Sequence, residues 1–309
     1  MSKSIFSAKH FNDEAAAYAF VEAHLWANGR VCPHCGVVDR SGALKGKSNR
    51  IGLYKCYACR KPFTVKVGTI FEASHIQMRD WLAAIHLICS SKKGISSNQL
   101  SRTLGITLKS AWFMSHRIRE AFKPGRQAPF GGNGQVVEAD EMYIGKKAGI
   151  AAKGGPHHKH AVMALVERGG RMRSLYMPVL RKTDVHDVVA NHVSEDSHLH
   201  TDESILYFGI KNWVANHETI NHRDGEYARG DITTNSVEGA FGLFRRGMTG
   251  TYQHCGVQHL QRYLNEFDFR YSNRKAVGIE DEGRAVLALK GAAGKRLTYR
   301  TTRGQEARA

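Results

Sequence analysis

Three carboxylates crowd into Val-Val-Glu-Ala-Asp-Glu-Met-Tyr-Ile-Gly, residues 136–145: Glu138, Asp140 and Glu141. The stretch reads as a β-strand, in which side chains alternate faces, so Glu138 and Asp140 share one face and Glu141 points to the other. A carboxylate among Val, Ile, Met and Tyr must be paired, protonated or bound to a cation, because an isolated buried charge is too costly. Glu138 is expected to pair with His200 or an arginine and Glu141 with a basic neighbour, which leaves Asp140 as the site candidate. Asp202 ends a short strand over residues 197–203. Farther on, Thr233 or Thr234 caps a helix whose apolar face is Val237, Phe241 and Phe244, placing Asn235 and Glu238 one turn apart on one side. Arg245 and Arg246 follow on the same helix, in reach of a phosphate.

A second constellation is built from sulfur. Cys32-Pro-His-Cys35 and Cys56-Tyr-Ala-Cys59 are two Cys-x-x-Cys knuckles separated by 20 residues. At this spacing four thiolates converge on one Zn²⁺ as in a zinc ribbon, and with no open position the zinc is structural. Gly36 suits the turn after the first pair, and residues 60–65 read as the strand leaving the second. His34 is not needed to complete the tetrahedron. Cys89 and Cys255 stand apart and take no role.

The elements that position these groups follow in order. Residues 78–90 carry Trp81, Leu82, Ile85 and Ile88 at helical spacing. The segment 96–104, the Gly105 turn and a helix capped by Thr107 and running to Phe122 form a helix-turn-helix, with Lys109, Ser110, Ser115 and Arg117 near the start or outer face of its second helix. Residues 123–134 hold two Pro and four Gly and read as a linker. Beyond it the pattern becomes strand 136–145, strand 161–167, a Gly169-Gly170 turn, strand 172–180, helix 184–193 and the strand ending at Asp202. Such a β-β-β-α-β order is the layout of an RNase H-like nucleotidyl-transfer domain, in which Asp140 and Asp202 can lie side by side on neighbouring strands. Phe267 and Tyr271 read as a helix face packed in the core.

Composition sets the partners. The chain of 309 residues holds 45 Lys and Arg against 28 Asp and Glu, a net charge of +17. Residues 40–66 contain eight bases and residues 290–303 five, with no acid in either stretch. Two basic segments suit a protein that holds a phosphate backbone. No apolar run is long enough to span a bilayer and no secretory signal is evident, so a cytoplasmic, nucleoid-associated location is expected.

The strings Glu138-Ala-Asp-Glu-Met-Tyr-Ile-Gly, Thr201-Asp-Glu, Thr234-Asn-Ser-Val-Glu-Gly, Arg245-Arg-Gly-Met-Thr-Gly-Thr-Tyr and His259-Leu-Gln-Arg-Tyr-Leu-Asn-Glu-Phe-Asp-Phe-Arg-Tyr-Ser-Asn-Arg, together with the cysteine pairs, span most of residues 30–275. In these the chain resembles bacterial insertion-sequence transposases of the IS1595 (ISXO2-like) family. The resemblance implies a multidomain α+β chain: a helical lead-in (1–28), a zinc ribbon (29–72), a helix-turn-helix region (73–122), a linker (123–135), an α/β RNase H-like catalytic domain of DDE/N type (136–275) and a basic tail (276–309). It implies binding of terminal inverted repeats, and DNA cleavage and strand transfer with two Mg²⁺ or Mn²⁺ ions. Asp140 and Asp202 are the implied ligands and Asn235 stands in the third position, ahead of Glu238, with which it can share the task. Arg245 takes the place of a family lysine, and a planar guanidinium is not equivalent to an ammonium. Lys109, Ser110, Arg117 and Arg246 are the implied DNA contacts. Synapsis of two DNA ends implies a homodimer or larger assembly. A non-catalytic, domesticated regulator is the alternative, against which intact Asp140 and Asp202 count. A stand-alone nuclease leaves the N-terminal modules without purpose.

Overall fold

The computed structural model describes residues 4–46 and 48–298, which divide into two compact units, one of the described residues up to Phe122 with those from Asp281 on, the other Lys123–Glu280. In the first unit, α1 (Glu14–Leu25) begins at Asp13, whose carboxylate accepts the Ala16 amide at 2.7 Å. Strands β1 (Ser41–Ala43), β2 (Tyr54–Cys56) and β3 (Pro62–Phe63) form an antiparallel sheet in that order. Among the described residues its buried apolar centre is Cys32, Cys56 and Phe63, with Trp26, Val37, Tyr54, Cys59 and Val67 packed on it. A core this small needs a cross-link beyond burial.

Helices α2 (Met78–Ser90), α3 (Ser97–Leu104) and α4 (Leu108–Phe122) follow. The Ser96 hydroxyl caps α3 by accepting the Gln99 amide at 3.1 Å, Gly105 ends it in the left-handed region at φ 65°, and the Thr107 hydroxyl starts α4 by accepting the Ser110 amide at 3.2 Å. Trp81, Ile85, Ile88, Leu100, Met114 and Ile118 are buried. Two expectations for α4 fail. Arg117 is buried: its Nη2 donates to the Glu72 carbonyl at 2.5 Å, and the guanidinium lies over the Trp81 and Phe113 rings. Ser115 is buried too, donating to the Trp112 carbonyl. Both lie on the stripe that Met114 and Ile118 turn inward, so neither is an outward contact.

The second unit is built on a five-stranded sheet. Strands β4 (Val136–Ile144), β5 (His160–Glu167) and β6 (Met172–Met177) form an antiparallel meander, α5 (Lys182–His192) crosses over, and β7 (His198–Asp202) and β8 (Asn216–Ile220) add in parallel on the other side of β4. The spatial order is β6-β5-β4-β7-β8. Alternation along β4 sends Val137 and Ala139 into one core with Val185, Val189 and Tyr207. Met142 goes into the opposite core with residues of α6 (Asn235–Gly247) and α7 (Val257–Ser272). Helix α7 also covers the open edge of β6. Asp268 accepts the Ser174 amide at 2.6 Å and its hydroxyl at 2.7 Å, and Gln261 accepts the Tyr176 amide at 2.9 Å. Phe267 is buried and Tyr271 packs beside it, as the helical spacing predicts.

Two boundaries differ from the sequence reading. The segment read as a linker over 123–135 is anchored at Phe130, which is fully buried and exchanges backbone hydrogen bonds with His192 and Ser194. Its aromatic ring outweighs the surrounding Gly and Pro. The segment read as a basic tail from 276 contains α8 (Asp281–Lys290), which belongs to the first unit. Ala288, Leu289 and Ala292 give this segment an apolar face among the bases, and Arg284 Nη1 donates to the Cys89 carbonyl at 2.7 Å. Arg300 and Arg303 of the expected tail lie outside the described residues.

Candidate active site and thiolate centre

In the ribbon the four sulfurs meet. The Sγ atoms of Cys32, Cys35, Cys56 and Cys59 all lie within 4.8 Å of one another, with Cys32–Cys59 and Cys35–Cys56 at 3.7 Å. Each knuckle turns through a residue directly after its second cysteine, Gly36 at φ 73° and Arg60 at φ 61°. Backbone N–H groups of Cys59 and Ala58 draw the Cys56 thiol down against burial, while burial and the neighbouring sulfurs push the Cys35 thiol up. His34 is turned away to the Pro62 carbonyl at 3.3 Å. A closed set of four sulfur donors fits structural zinc.

The acidic site is assembled from three distant segments. Strands β4 and β7 run parallel with Glu138 opposite His200. Two residues beyond that last pair, Asp140 lies midway along β4 and Asp202 ends β7. Asp140 accepts the Glu141 amide at 2.7 Å and Asp202 the Ser204 amide at 3.0 Å. No basic side chain bonds either carboxylate among the described residues. Burial pushes the Asp140 carboxyl up to about 7, and the charges of Asp202 and Glu238 add to the rise. Burial raises Asp202 as well, with Glu203 adding to it. Acids that resist ionisation until positive charge arrives suit a cation.

Helix α6 carries both candidates for a third group. Glu238 Oε1 accepts from the Thr234 hydroxyl at 2.6 Å and lies 3.3 Å from His222 Nε2. Asn235 is exposed at the first residue of α6, with its amide on the Thr233 hydroxyl at 3.1 Å. Arg245 and Arg246 are exposed near the helix end. Lys109 of the first unit is exposed at the start of α4, while the Ser110 hydroxyl is held by Thr107 at 2.9 Å.

The other two acids of β4 are occupied differently. Glu138 is fully buried and paired with Arg168 at 2.9 Å, an arginine partner as expected. Glu141 does face the opposite side from Asp140, but its neighbour is Tyr207 rather than a base. Burial pushes Glu141 up to about 8, with the charges of Asp140 and Asp202 adding to the rise.

His222, Arg168 and Tyr207 escaped the sequence reading, and Thr234 was read only as a helix cap, not as a donor to Glu238. The signal for His222 was β8: once residues 216–220 are seen as a strand parallel to β7, Ile220 falls opposite Asp202 and His222 lies two residues beyond it.

The thiolate ribbon and the mixed sheet that carries Asp140 and Asp202 lie in segments that transposase family models match, which places the chain among transposases. Residues 132–272 match the ISXO2-like transposase domain and residues 12–62 the transposase zinc-ribbon domain of the same group, so the chain belongs to the IS1595 (ISXO2-like) family. The zinc-ribbon match takes in α1, which the sequence reading kept apart. A relative is described as an uncharacterized protein in transposable element ISH50 of Halobacterium salinarum. It is 25% identical over 284 residues, 85% of this chain and 92% of the relative. Among solved structures, a pre-cleavage Mos1 transpososome shares 13% identity over 67% of this chain and 74% of that one, with a TM-score of 0.26. The Mos1 transposase paired-end complex with left transposon end shares 12% over 64% and 77%, with a TM-score of 0.20. Likeness that loose carries no argument about the site.

Proposed function

We propose that the chain binds the terminal inverted repeats of an insertion sequence and catalyses divalent-cation-dependent DNA cleavage and strand transfer on an RNase H-like domain. The reading rests on one observation above all: Asp140 and Asp202 lie on adjacent parallel strands, each two residues beyond the paired Glu138 and His200, and the charge of Glu238 reaches Asp140. Mg²⁺ or Mn²⁺ bound there supplies charge stabilisation for the entering and leaving oxygens of an in-line phosphoryl transfer. Asp140 and Asp202 would hold the cations, and Glu238 would be the third carboxylate, with Asn235 beside it as a neutral oxygen donor. His222 and Thr234 orient Glu238 by their contacts to its Oε1. Arg245 and Arg246 bind DNA phosphate from the exposed side of α6.

The pair α3 and α4 serves as the helix-turn-helix, and Lys109 approaches DNA at the start of its second helix. Arg117 stays in the core of that unit. Pairing of two DNA ends calls for a dimer or larger assembly, working on chromosomal DNA in the cytoplasm. The test is a nicking assay with zinc-loaded protein, Mg²⁺ and DNA carrying the element's ends. Nicking at the ends, lost in Asp140→Asn and Asp202→Asn, is expected; full activity in either variant overturns the assignment.

A further inference from the structure

Glu138 sits on the same face of β4 as Asp140, two residues earlier, yet its carboxylate is filled with donors. Its Oε2 accepts the backbone amides of Ser236 at 2.7 Å and Val237 at 3.2 Å. Its Oε1 accepts the Ser236 hydroxyl at 2.9 Å and Arg168 through Nη2 at 2.9 Å and Nε at 3.2 Å. A carboxylate on a strand thus occupies the orphan amides at the N-terminus of α6, where the helix dipole also favours negative charge. The cap residue Thr234 makes no side-chain bond to that turn of amides. Arg168 ties down the approach to the helix, donating to the Asp231 carbonyl at 2.8 Å and lying 3.4 Å from the Thr233 carbonyl.

We propose that Glu138 and Arg168 are positioning residues that clamp the first turn of α6 onto β4 and so set the reach from Asp140 to Glu238 and Asn235. The inference rests on the proposed acid site. Ser236 and Val237, the residues clamped, lie between Asn235 and Glu238 in the chain. A displacement of this turn therefore carries both candidates for the third ligand with it. Full burial of Glu138 excludes it from direct contact with DNA, and its filled oxygens leave no lone pair directed at a cation. Arg168 pairs with it through two nitrogens, which an ammonium cannot reproduce.

Three variants of the zinc-loaded full chain test this: Glu138→Gln, Arg168→Lys and the milder Ser236→Ala, which keeps the backbone clamp and guards against failure of the first two to fold. Mn²⁺ binding without DNA, hydrogen exchange of the Ser236 and Val237 amides, and kcat and KM for end cleavage are measured. The expected result for Glu138→Gln is at least tenfold weaker Mn²⁺ binding, faster exchange confined to the α6 start and a kcat loss of about 100-fold with KM unchanged. Arg168→Lys should be intermediate and Ser236→Ala within about threefold of wild type. Wild-type Mn²⁺ binding and kcat in folded Glu138→Gln, or in Arg168→Lys should Glu138→Gln not fold, overturn the clamp while leaving the acid site intact. Loss of KM alone, with kcat retained, also overturns it. Retained cleavage in Asp140→Asn would instead remove the acid site itself.

Discussion

The thiolate centre and the carboxylate centre solve opposite problems. Four cysteines from one stretch of 28 residues bring their sulfurs within 4.8 Å and close the shell. Asp140, Asp202 and Glu238 come from β4, β7 and α6, and among the described residues they form no group so tight. Removing a donor from the first should therefore damage folding, because the ribbon has little else to hold it. Removing one from the second should relieve strain on the fold and stop chemistry. Burial opposes the charge on Asp140, whereas nothing apolar in the ribbon replaces its metal.

The largest effect expected is at the ribbon. Structural zinc in small modules contributes on the order of 10 kcal/mol, so Cys56→Ser should unfold the ribbon and empty it of zinc. Zinc content and circular dichroism check this, and a zinc-loaded, folded variant would erase the distinction between the centres. Next comes Asp140→Asn, expected to cut cleavage by about 1,000-fold or more while raising the melting temperature of metal-free protein at pH 8. Lowered stability there would contradict the account of Asp140 as a strained acid.

The same residue gives the comparison a pH axis. Its folded-state pKa, about 7, is raised above the unfolded value. Its contribution to stability is thus whole below pH ~4 and lost as pH rises through about 7, at most roughly 4 kcal/mol. Denaturant titrations of metal-free protein should show this decline, and saturating Mg²⁺ should flatten it.

How much of this was legible in the sequence follows the same contrast. Cys-x-x-Cys knuckles are local, so their spacing alone discloses the ribbon. The placement of Asp140 and Asp202 on neighbouring strands was legible because the β-β-β-α-β order implies it. The choice between Asn235 and Glu238 was not, since it depends on how α6 docks, and Glu138 sets that docking from 98 residues away. Arg117 was misread because a long cationic side chain on an amphipathic helix looks outward until the Glu72 carbonyl and the Trp81 ring are in place. The apolar face of α8 was hidden by the surrounding basic residues.

Smaller effects sharpen the division inside the first unit. Arg117→Ala should cost about 3 kcal/mol of stability by stranding buried polar groups. Lys109→Ala should leave stability within ~0.5 kcal/mol yet weaken DNA binding and lower its salt slope by about 1. Equal behaviour of the two in unfolding and binding titrations would argue against the reassignment of Arg117 to the core.

The central claim, an open cation site made by Asp140, Asp202 and Glu238 alongside a closed zinc site, is tested most directly by Mn²⁺ binding followed by electron paramagnetic resonance on the zinc-loaded chain. Exchangeable Mn²⁺ should bind, weakened at least tenfold by Asp140→Asn, Asp202→Asn or Glu238→Gln, with one zinc retained throughout. Mn²⁺ binding unchanged in all three variants would contradict the account.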